Sequence, residues 1–150
     1  MRYGLDTNVL VYAEDYKAAR KCDISLALLN SLIAEDVCIP VQTLGELHRV
    51  LVGKAGRSEQ ASRDRVLQYM DAFSTVPTTN SAFQSALELS VAHHFSIWDS
   101  MVMAVCAENG CRILFTEDLQ EGFTWNGLTV VNPFLKTHAP EILALLPERL

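Results

Sequence analysis

The first eight residues constrain the fold of this chain more than any other stretch. They read as a short strand that ends at Asp6, and an apolar run over residues 9–13 follows at once. A strand that opens a chain and leads directly into a helix usually lies inside a parallel sheet covered by helices on both faces. Ligands bind beyond the carboxyl ends of such strands, which would place Asp6 at the mouth of a crevice. Asp6 could instead only cap the following helix, because Asp is a favoured N-cap residue.

The remaining segments alternate between the two kinds of secondary structure. Helical spacing of apolar residues predicts helices over residues 7–14, 17–34, 42–52, 59–73, 80–94 and 101–106, with a short final helix over 138–146. Short apolar runs predict strands over 37–39, 112–115 and 128–131. Residues 74–77 read as a weak strand or an extended connection, and residues 122–127 read as a loop. The alternation predicts one α/β domain over residues 1–150, with three α/β/α layers and a mostly parallel sheet of about four to five strands.

Two of these helices have apolar residues whose burial the sequence predicts. In the helix over 59–73, Leu67 and Met70 are expected to pack inward, together with Val66 and Phe73. The helix over 80–94 carries an apolar side formed by Phe83, Leu87 and Val91.

Composition restricts where the protein works. The chain contains no run of eighteen apolar residues and no signal-peptide pattern at its start, so we expect no membrane span and a cytoplasmic location. Its four cysteines show neither a C-x-x-C pair nor histidines at zinc spacing. Cys38 and Cys106 lie in apolar patterns, which favours buried free thiols.

Charge is distributed unevenly along the chain. The formal net charge is -6, yet residues 49–65 contain five basic side chains and only two acidic ones. An enzyme that uses a cation to act on a polyanion combines a basic arm with an acidic pit in this way. A solvated pair of helices would show the same local excess of positive charge.

Four acids stand at places that an α/β fold could bring together. Asp6 and Asp118 each follow a buried strand. Glu46 flanks the apolar stripe of a helix, and Asp99 opens the most apolar helix of the chain. Crowded carboxylates repel one another and need a counter-charge. A hard divalent cation, Mg²⁺ or Mn²⁺, meets that need, and such a site activates water and stabilises charge on a phosphate in transfer.

Each acid also has a simpler interpretation when it is taken alone. Asp99 falls three residues after Ser96, close to the spacing of a capping box. Asp118 could begin a turn, and Glu46 could lie on an exposed helix surface. The individual residues therefore leave both interpretations open.

Taken in order, four blocks of the sequence resemble the PIN-domain ribonucleases, and within them the VapC-like toxins of toxin–antitoxin pairs. The blocks are LDTN (residues 5–8), IPVQTLGEL (39–47), SIWD (96–99) and LFTEDLQ (114–120). Each block alone is a weak signal, whereas the ordered set over residues 5–120 is specific.

The resemblance implies a Mg²⁺- or Mn²⁺-dependent endoribonuclease that hydrolyses phosphodiester bonds, with transfer or ribosomal RNA as the expected substrate. Its catalytic residues would be Asp6, Glu46, Asp99 and Asp118. By this resemblance, Asp6, Asp99 and Asp118 would hold the metal, while Glu46 would position or deprotonate the attacking water. Asn8 and Thr116 match the polar residues that order the carboxylates. Whether Glu121, a further acid near the last block, joins the metal site is open.

Partners also follow from the resemblance. We expect a homodimer and a cognate antitoxin that binds near the active site, with Leu10, Tyr12 and Tyr16 as candidate contacts. The basic arm would follow the RNA, with Arg49 at the substrate phosphate and further contacts from Lys54, Arg57, Arg63 and Arg65. Trp98 could stack on a base, although burial against the core is the expectation that we favour.

Two rival functions remain compatible with the sequence. The first is a PIN-domain nuclease that acts on DNA, or in RNA processing, without a toxin role. The second is a non-catalytic PIN-like scaffold whose carboxylates only cap helices. Loss of metal-dependent activity in an Asp6 or Asp99 variant would separate the nucleases from the scaffold.

Overall fold

The computed structural model describes residues 1–146, in which strands and helices alternate as the sequence predicts. The strands are β1 (Arg2–Leu5), β2 (Asp36–Pro40), β3 (Ser74–Val76), β4 (Ile113–Phe115), β5 (Thr124–Trp125) and β6 (Leu128–Val131). The helices are α1 (Thr7–Ala13), α2 (Arg20–Leu32), α3 (Val41–Val52), α4 (Glu59–Ala72), α5 (Asn80–His93), α6 (Ile97–Glu108) and α7 (Pro140–Leu143). A 3-10 helix over Tyr16–Ala18 precedes α2, where the sequence predicted one continuous helix.

The sheet has the strand order β3-β2-β1-β4-β6-β5, and every neighbouring pair is parallel except β5 with β6. Its two faces are covered by separate cores. In β4, Ile113 and Phe115 join the core formed with α1, α2 and α3, whereas Leu114 joins the core formed with α5 and α6. This alternation follows from the period of two in a strand. The predicted three-layer α/β/α architecture is confirmed.

The described chain contains six strands, so the expected four to five was too low. The extra strand, β5, lies in the segment that was predicted to be a loop. It pairs with β6 through a two-residue turn at Asn126 and Gly127, whose φ angles are 47° and 79°. Asn-Gly is the preferred sequence for such a turn because both residues adopt positive φ, so the signal was present in the sequence. The final helix is also shorter than predicted, with Pro140–Leu143 helical.

Helix packing differs from the expectation on two surfaces. In α4, Leu67 and Met70 are exposed, and Tyr69 takes the inward position. In α5, the buried residues include two alanines, and small side chains allow a close approach to α6. The larger side chains of α5 are left exposed, namely those of Phe83, Leu87 and Val91.

Candidate metal centre

The carboxyl ends of β1 and β4 bring the first and last acidic blocks together. Leu5 pairs with Phe115 in the parallel ladder, and the Asp6 amide donates a hydrogen bond to the Phe115 carbonyl at 3.1 Å. Asp6 is also the N-cap of α1, where its Oδ1 accepts from the Thr7 amide at 2.7 Å. Capping and a place at the sheet edge are therefore two properties of the same residue.

Three carboxylates form a compact group at this edge. Asp6, Asp99 and Asp118 each offer an oxygen, and the three oxygens all lie within 4.8 Å of one another. Asp6 is 5% exposed, Asp99 is half-buried and Asp118 is exposed. The structure thus brings together the three residues that the sequence predicted as metal ligands.

The electrostatics of this group favour a bound cation. Burial is the main cause that raises the pKa of Asp6 to about 6; the negative charges of Asp99 and Asp118 also raise this pKa, and the hydrogen bonds from Thr116 and Thr7 oppose the rise. Burial also raises the pKa of Asp99, with added repulsion from Asp118 and Glu46. Carboxylates that resist ionisation together are stabilised by a hard cation with oxygen ligands, so the donor set fits Mg²⁺ or Mn²⁺.

Asn8 and Thr116 hold the carboxylates in place. The Thr116 hydroxyl donates to Asp6 Oδ2 at 2.8 Å and accepts from the Asp118 amide at 3.1 Å. Asn8 Nδ2 donates to Asp118 Oδ2 at 3.1 Å and to Thr116 Oγ1 at 3.0 Å. These hydrogen bonds fix the orientation of two of the three acids, as hydrogen-bonding partners do around metal ligands.

Glu46 lies beside the three-acid group rather than within it. It is half-buried on α3, which begins directly after β2, the neighbour of β1. Its Oε2 accepts from the Thr7 hydroxyl at 2.6 Å, and its Oε1 accepts from Gln42 Nε2 at 2.9 Å. Sequence reasoning missed Gln42, although a spacing of four residues on a helix places Gln42 beside Glu46.

Two other acids near the last block are engaged elsewhere. Glu117 forms an ion pair with Lys21 at 2.6 Å and accepts from the Tyr12 hydroxyl. Glu121 Oε1 lies 2.6 Å from Nδ1 of His138, and its other oxygen accepts from a backbone amide. In the described part of the chain, Glu121 is therefore held away from the three-acid group.

A cleft of about 650 Å³ opens from the acidic edge. Glu46 and Asp118 line one part of it, and its cationic lining comes from Lys17, Lys54 and Arg57. Lys54 and Arg57 are two of the five basic residues assigned to an RNA track. Lys17 was not predicted, because its proximity to the cleft depends on the turn between α1 and α2.

The other three basic residues are not part of the described lining of the cleft. Arg65 forms an ion pair with Glu14 and lies over the ring of Tyr69. Arg63 pairs with its neighbour Asp64 at 3.0 Å, and Arg49 is exposed on α3. Their assignment to substrate binding stays a prediction, and the contacts of Arg65 give it a structural role between α1 and α4.

The expectations for four apolar or aromatic residues can be compared with the structure. Trp98 is 61% exposed, so the expectation that it packs in the core is wrong. Leu10 is fully buried and cannot contact a partner, whereas Tyr16 is 83% exposed beside the cleft. Tyr12 is half-buried by its contacts with Glu117.

A second group of possible ligands lies inside the protein. Cys38, Cys106 and Cys111 are buried free thiols whose sulfur atoms all lie within 4.8 Å of one another. The prediction of buried free thiols for Cys38 and Cys106 is confirmed.

Comparisons with known proteins agree with this geometry. The PIN domain family model matches residues 3–121 of the chain. Among solved structures, FitAcB from Neisseria gonorrhoeae is similar with a TM-score of 0.65 and 21% identity, over 88% of this chain and 98% of that chain. A sarcin-ricin loop cleaving VapC toxin of Mycobacterium tuberculosis matches with a TM-score of 0.62 and 18% identity, over 75% of this chain and 86% of its own.

DNA-bound VapBC from Salmonella typhimurium matches with a TM-score of 0.63 and 17% identity, over 87% and 96% of the two chains. No curated protein matches the chain. Among the described residues, no helix is long and apolar enough to cross a membrane. The assignment of all 150 residues to a single domain stays a prediction.

Proposed function

Because this chain belongs to the PIN-domain family, whose members are nucleases, we propose that it is a metal-dependent endoribonuclease and the toxin of a toxin–antitoxin pair. The observation that carries the proposal is the group of three carboxylate oxygens within 4.8 Å of one another at the carboxyl edge of the sheet. A scaffold whose acids only cap helices has no need to crowd them around a buried Asp6. We place the enzyme in the cytoplasm, where RNA is available.

Each residue of the site has a role in the proposed reaction. Asp6, Asp99 and Asp118 hold Mg²⁺ or Mn²⁺, which when bound supplies positive charge against the phosphate in transfer. Glu46 orients the attacking water and accepts its proton. Both of its oxygens already accept a hydrogen bond, which fixes the carboxylate while leaving further lone pairs for a water molecule.

The cleft supports a polyanionic substrate despite the net negative charge of the protein. Lys17 and Lys54 line the same cleft as Glu46 and Asp118, so a phosphate backbone that follows these cations arrives at the acids. Arg57 also lines the cleft and is paired there with Glu14 at 3.6 Å, so it binds a phosphate only by exchanging that partner. RNA satisfies this arrangement, and among its sources we propose transfer or ribosomal RNA.

A cognate antitoxin and a second copy of the chain are the proposed protein partners. Several solved structures that this chain resembles are toxin–antitoxin complexes, and some contain bound DNA. An antitoxin segment that enters the cleft beside the exposed Tyr16 would block access of RNA to the carboxylates.

The decisive experiment is cleavage of purified transfer and ribosomal RNAs with Mg²⁺ or Mn²⁺, and then with chelator. Asp6→Asn should lower the rate by more than about 100-fold, because loss of a ligand costs more than loss of a supporting hydrogen bond. Asp71→Asn is the matched control, since Asp71 is an exposed acid on α4. It should cleave like wild type.

The outcomes separate the proposed functions. Discrete RNA fragments that disappear with chelator and with Asp6→Asn would support the nuclease. Metal-dependent cleavage of DNA alone would favour the DNA-acting alternative. Growth arrest on expression, relieved by the product of a neighbouring reading frame, would support the toxin role. Folded wild type that cleaves neither nucleic acid with either metal would contradict the proposal.

A further inference from the structure

Trp98, which directly precedes Asp99 of the three-acid group, has an exposed aromatic ring. Its side chain is 61% exposed, although tryptophan is usually extensively buried. The other tryptophan of the chain, Trp125, is half-buried and packs against the core that contains α5 and α6. The core therefore has room for an indole elsewhere, yet it leaves this one in solvent.

The backbone that carries Trp98 is fixed at the active site. Trp98 lies in the first turn of α6, where the Asp99 amide donates to Ser96 Oγ at 3.1 Å. Its carbonyl accepts from Gln42 Nε2 at 3.3 Å, and the same nitrogen donates to Glu46. The indole is thus attached to a rigid helix start that is tied to the proposed catalytic carboxylate.

Trp98 is adjacent in sequence to Asp99, one of the proposed metal ligands. Adjacent α-carbons lie about 3.8 Å apart, so the indole projects from a point one residue away from Asp99. Asp99 contributes one of the three clustered carboxylate oxygens. The exposed ring of Trp98 is therefore attached one residue away from a side chain that the proposed function places at the reacting phosphate.

We propose that Trp98 binds an unpaired nucleobase of the RNA, next to the phosphate that is cleaved. The inference rests on the proposed function and adds a base-contacting residue to it. A base inside a duplex has its faces covered by neighbouring bases, so only a single strand, a loop or a bulge can offer a free face to the indole. Val41, which is exposed at the start of α3 next to Gln42, adds a second apolar contact.

The surroundings favour a base over a protein surface. A protein-docking site needs a contiguous apolar patch of several hundred Å², roughly, whereas a base needs a single ring face. The neighbouring residues Phe95 and Ile97 are half-buried against the core, and Asp99 belongs to the carboxylate group, so this part of the chain adds little exposed apolar surface to that of the indole. The cations that line the cleft are suited to bind the phosphates of the RNA, whereas an aromatic ring is suited to bind a base.

Fluorescence gives a direct test of this contact. In a Trp125→Phe background, Trp98 is the only tryptophan of the chain. Titration with a short single-stranded RNA in chelator, which prevents metal-dependent cleavage, should quench its emission. The same sequence in a perfect duplex should quench it far less.

Binding affinities identify the role of the ring. Trp98→Ala should weaken binding of the single strand by about 5- to 150-fold, the range for loss of one stacked base. Trp98→Phe should retain most of the affinity, and Trp98→Leu, which is apolar but has no π face, should not. Phe83→Ala removes another exposed aromatic ring, on α5, and should bind like wild type.

Two results would overturn the inference, namely absence of quenching or equal RNA affinity for wild type and Trp98→Ala. Conversion of a dimer into a monomer by Trp98→Ala, with unchanged RNA affinity per chain, would assign the ring to a protein interface and also overturn it. Failure of the nuclease is a separate outcome, because quenching by single-stranded RNA without any metal-dependent cleavage would support the base site and contradict the proposed function.

Discussion

Within residues 1–146, two groups of three side chains have the chemistry of metal ligands, and the surroundings of the two groups are opposite. Both groups have their ligand atoms within 4.8 Å of one another. The hard oxygen group lies at the carboxyl edge of the sheet and consists of Asp6, Asp99 and Asp118. The soft sulfur group lies within the core and consists of Cys38, Cys106 and Cys111.

Access distinguishes the two groups. The carboxylates range from buried at Asp6 to exposed at Asp118, and they receive hydrogen bonds from hydroxyl and amide donors. The thiols are all buried, and a Cβ atom on Gly4 would lie only 2.6 Å from Cys106 Sγ. Ligand types at the right spacing therefore do not make a substrate site unless the surroundings also leave a route to solvent.

The largest effect that we expect is a pH-dependent loss of stability at the carboxylate group. Because the folded-state pKa of Asp6 is raised to about 6, its protonated form stabilises the fold at low pH. That contribution is lost as pH rises from about 4 through 6, and it amounts to about 3 kcal/mol. Denaturant unfolding of metal-free wild type and Asp6→Asn at pH 4 and 7.5 measures this contribution. It is the change, between the two pH values, in the difference in unfolding free energy between the two proteins.

Mg²⁺ supplies the control for that experiment. When the metal is present, the wild-type protein should keep most of its stability at pH 7.5, because the ionised carboxylate is then compensated. A stability difference that does not change with pH in the metal-free state would contradict the raised pKa of the buried Asp6.

The thiol group should respond to packing. Gly4→Ala would force its Cβ against Cys106 Sγ, and overpacking of this kind costs about 1 to 3 kcal/mol. The cost should fall when Cys106→Ala provides space, which a double-mutant cycle of unfolding free energies detects. Equal costs in the two backgrounds would show that the contact is not the cause.

The smallest of the three effects concerns the hydrogen bonds that distinguish the carboxylates from the thiols. Thr116→Val removes the hydroxyl that donates to Asp6, and it should lower the RNA cleavage rate by about 10- to 100-fold. Thr129→Val makes the same change on β6 and should leave the rate near that of wild type. A rate for Thr116→Val equal to that of the control would mean that Asp6 needs no such support.

The sequence predicted the location of acidic side chains correctly where that location follows from the order of the strands along the chain. Asp6 and Asp118 could be placed together because both follow strands of a parallel sheet, and the carboxyl ends of these strands share one edge. The exposure of Trp98 could not be predicted, because tryptophan side chains are usually buried. Only the packed structure shows which of the two indoles packs against the core. The predicted apolar side of α5 was wrong for a related reason. The alanines of α5 permit a closer contact with α6 than Phe83 or Leu87 would, so the larger side chains are left exposed.

The contribution of Lys17 to the cleft depends on tertiary structure alone. A 3-10 helix separates α1 from α2, and the path of that turn decides which side chains reach the cleft. The hairpin of β5 and β6, in contrast, was missed although its Asn-Gly signal was present.

The position of β1 in the middle of the sheet has a consequence for synthesis of the protein. Asp6 is synthesised before Thr116, whose hydroxyl orients it and which lies 110 residues later in the chain. Asp118, a further member of the group, emerges later still. A ribosome-bound chain that ends before β4 therefore holds the first strand without its central neighbour and cannot assemble the carboxylates. The three-acid group therefore depends on contacts of long sequence separation, which form only after β4 and Asp118 have been synthesised.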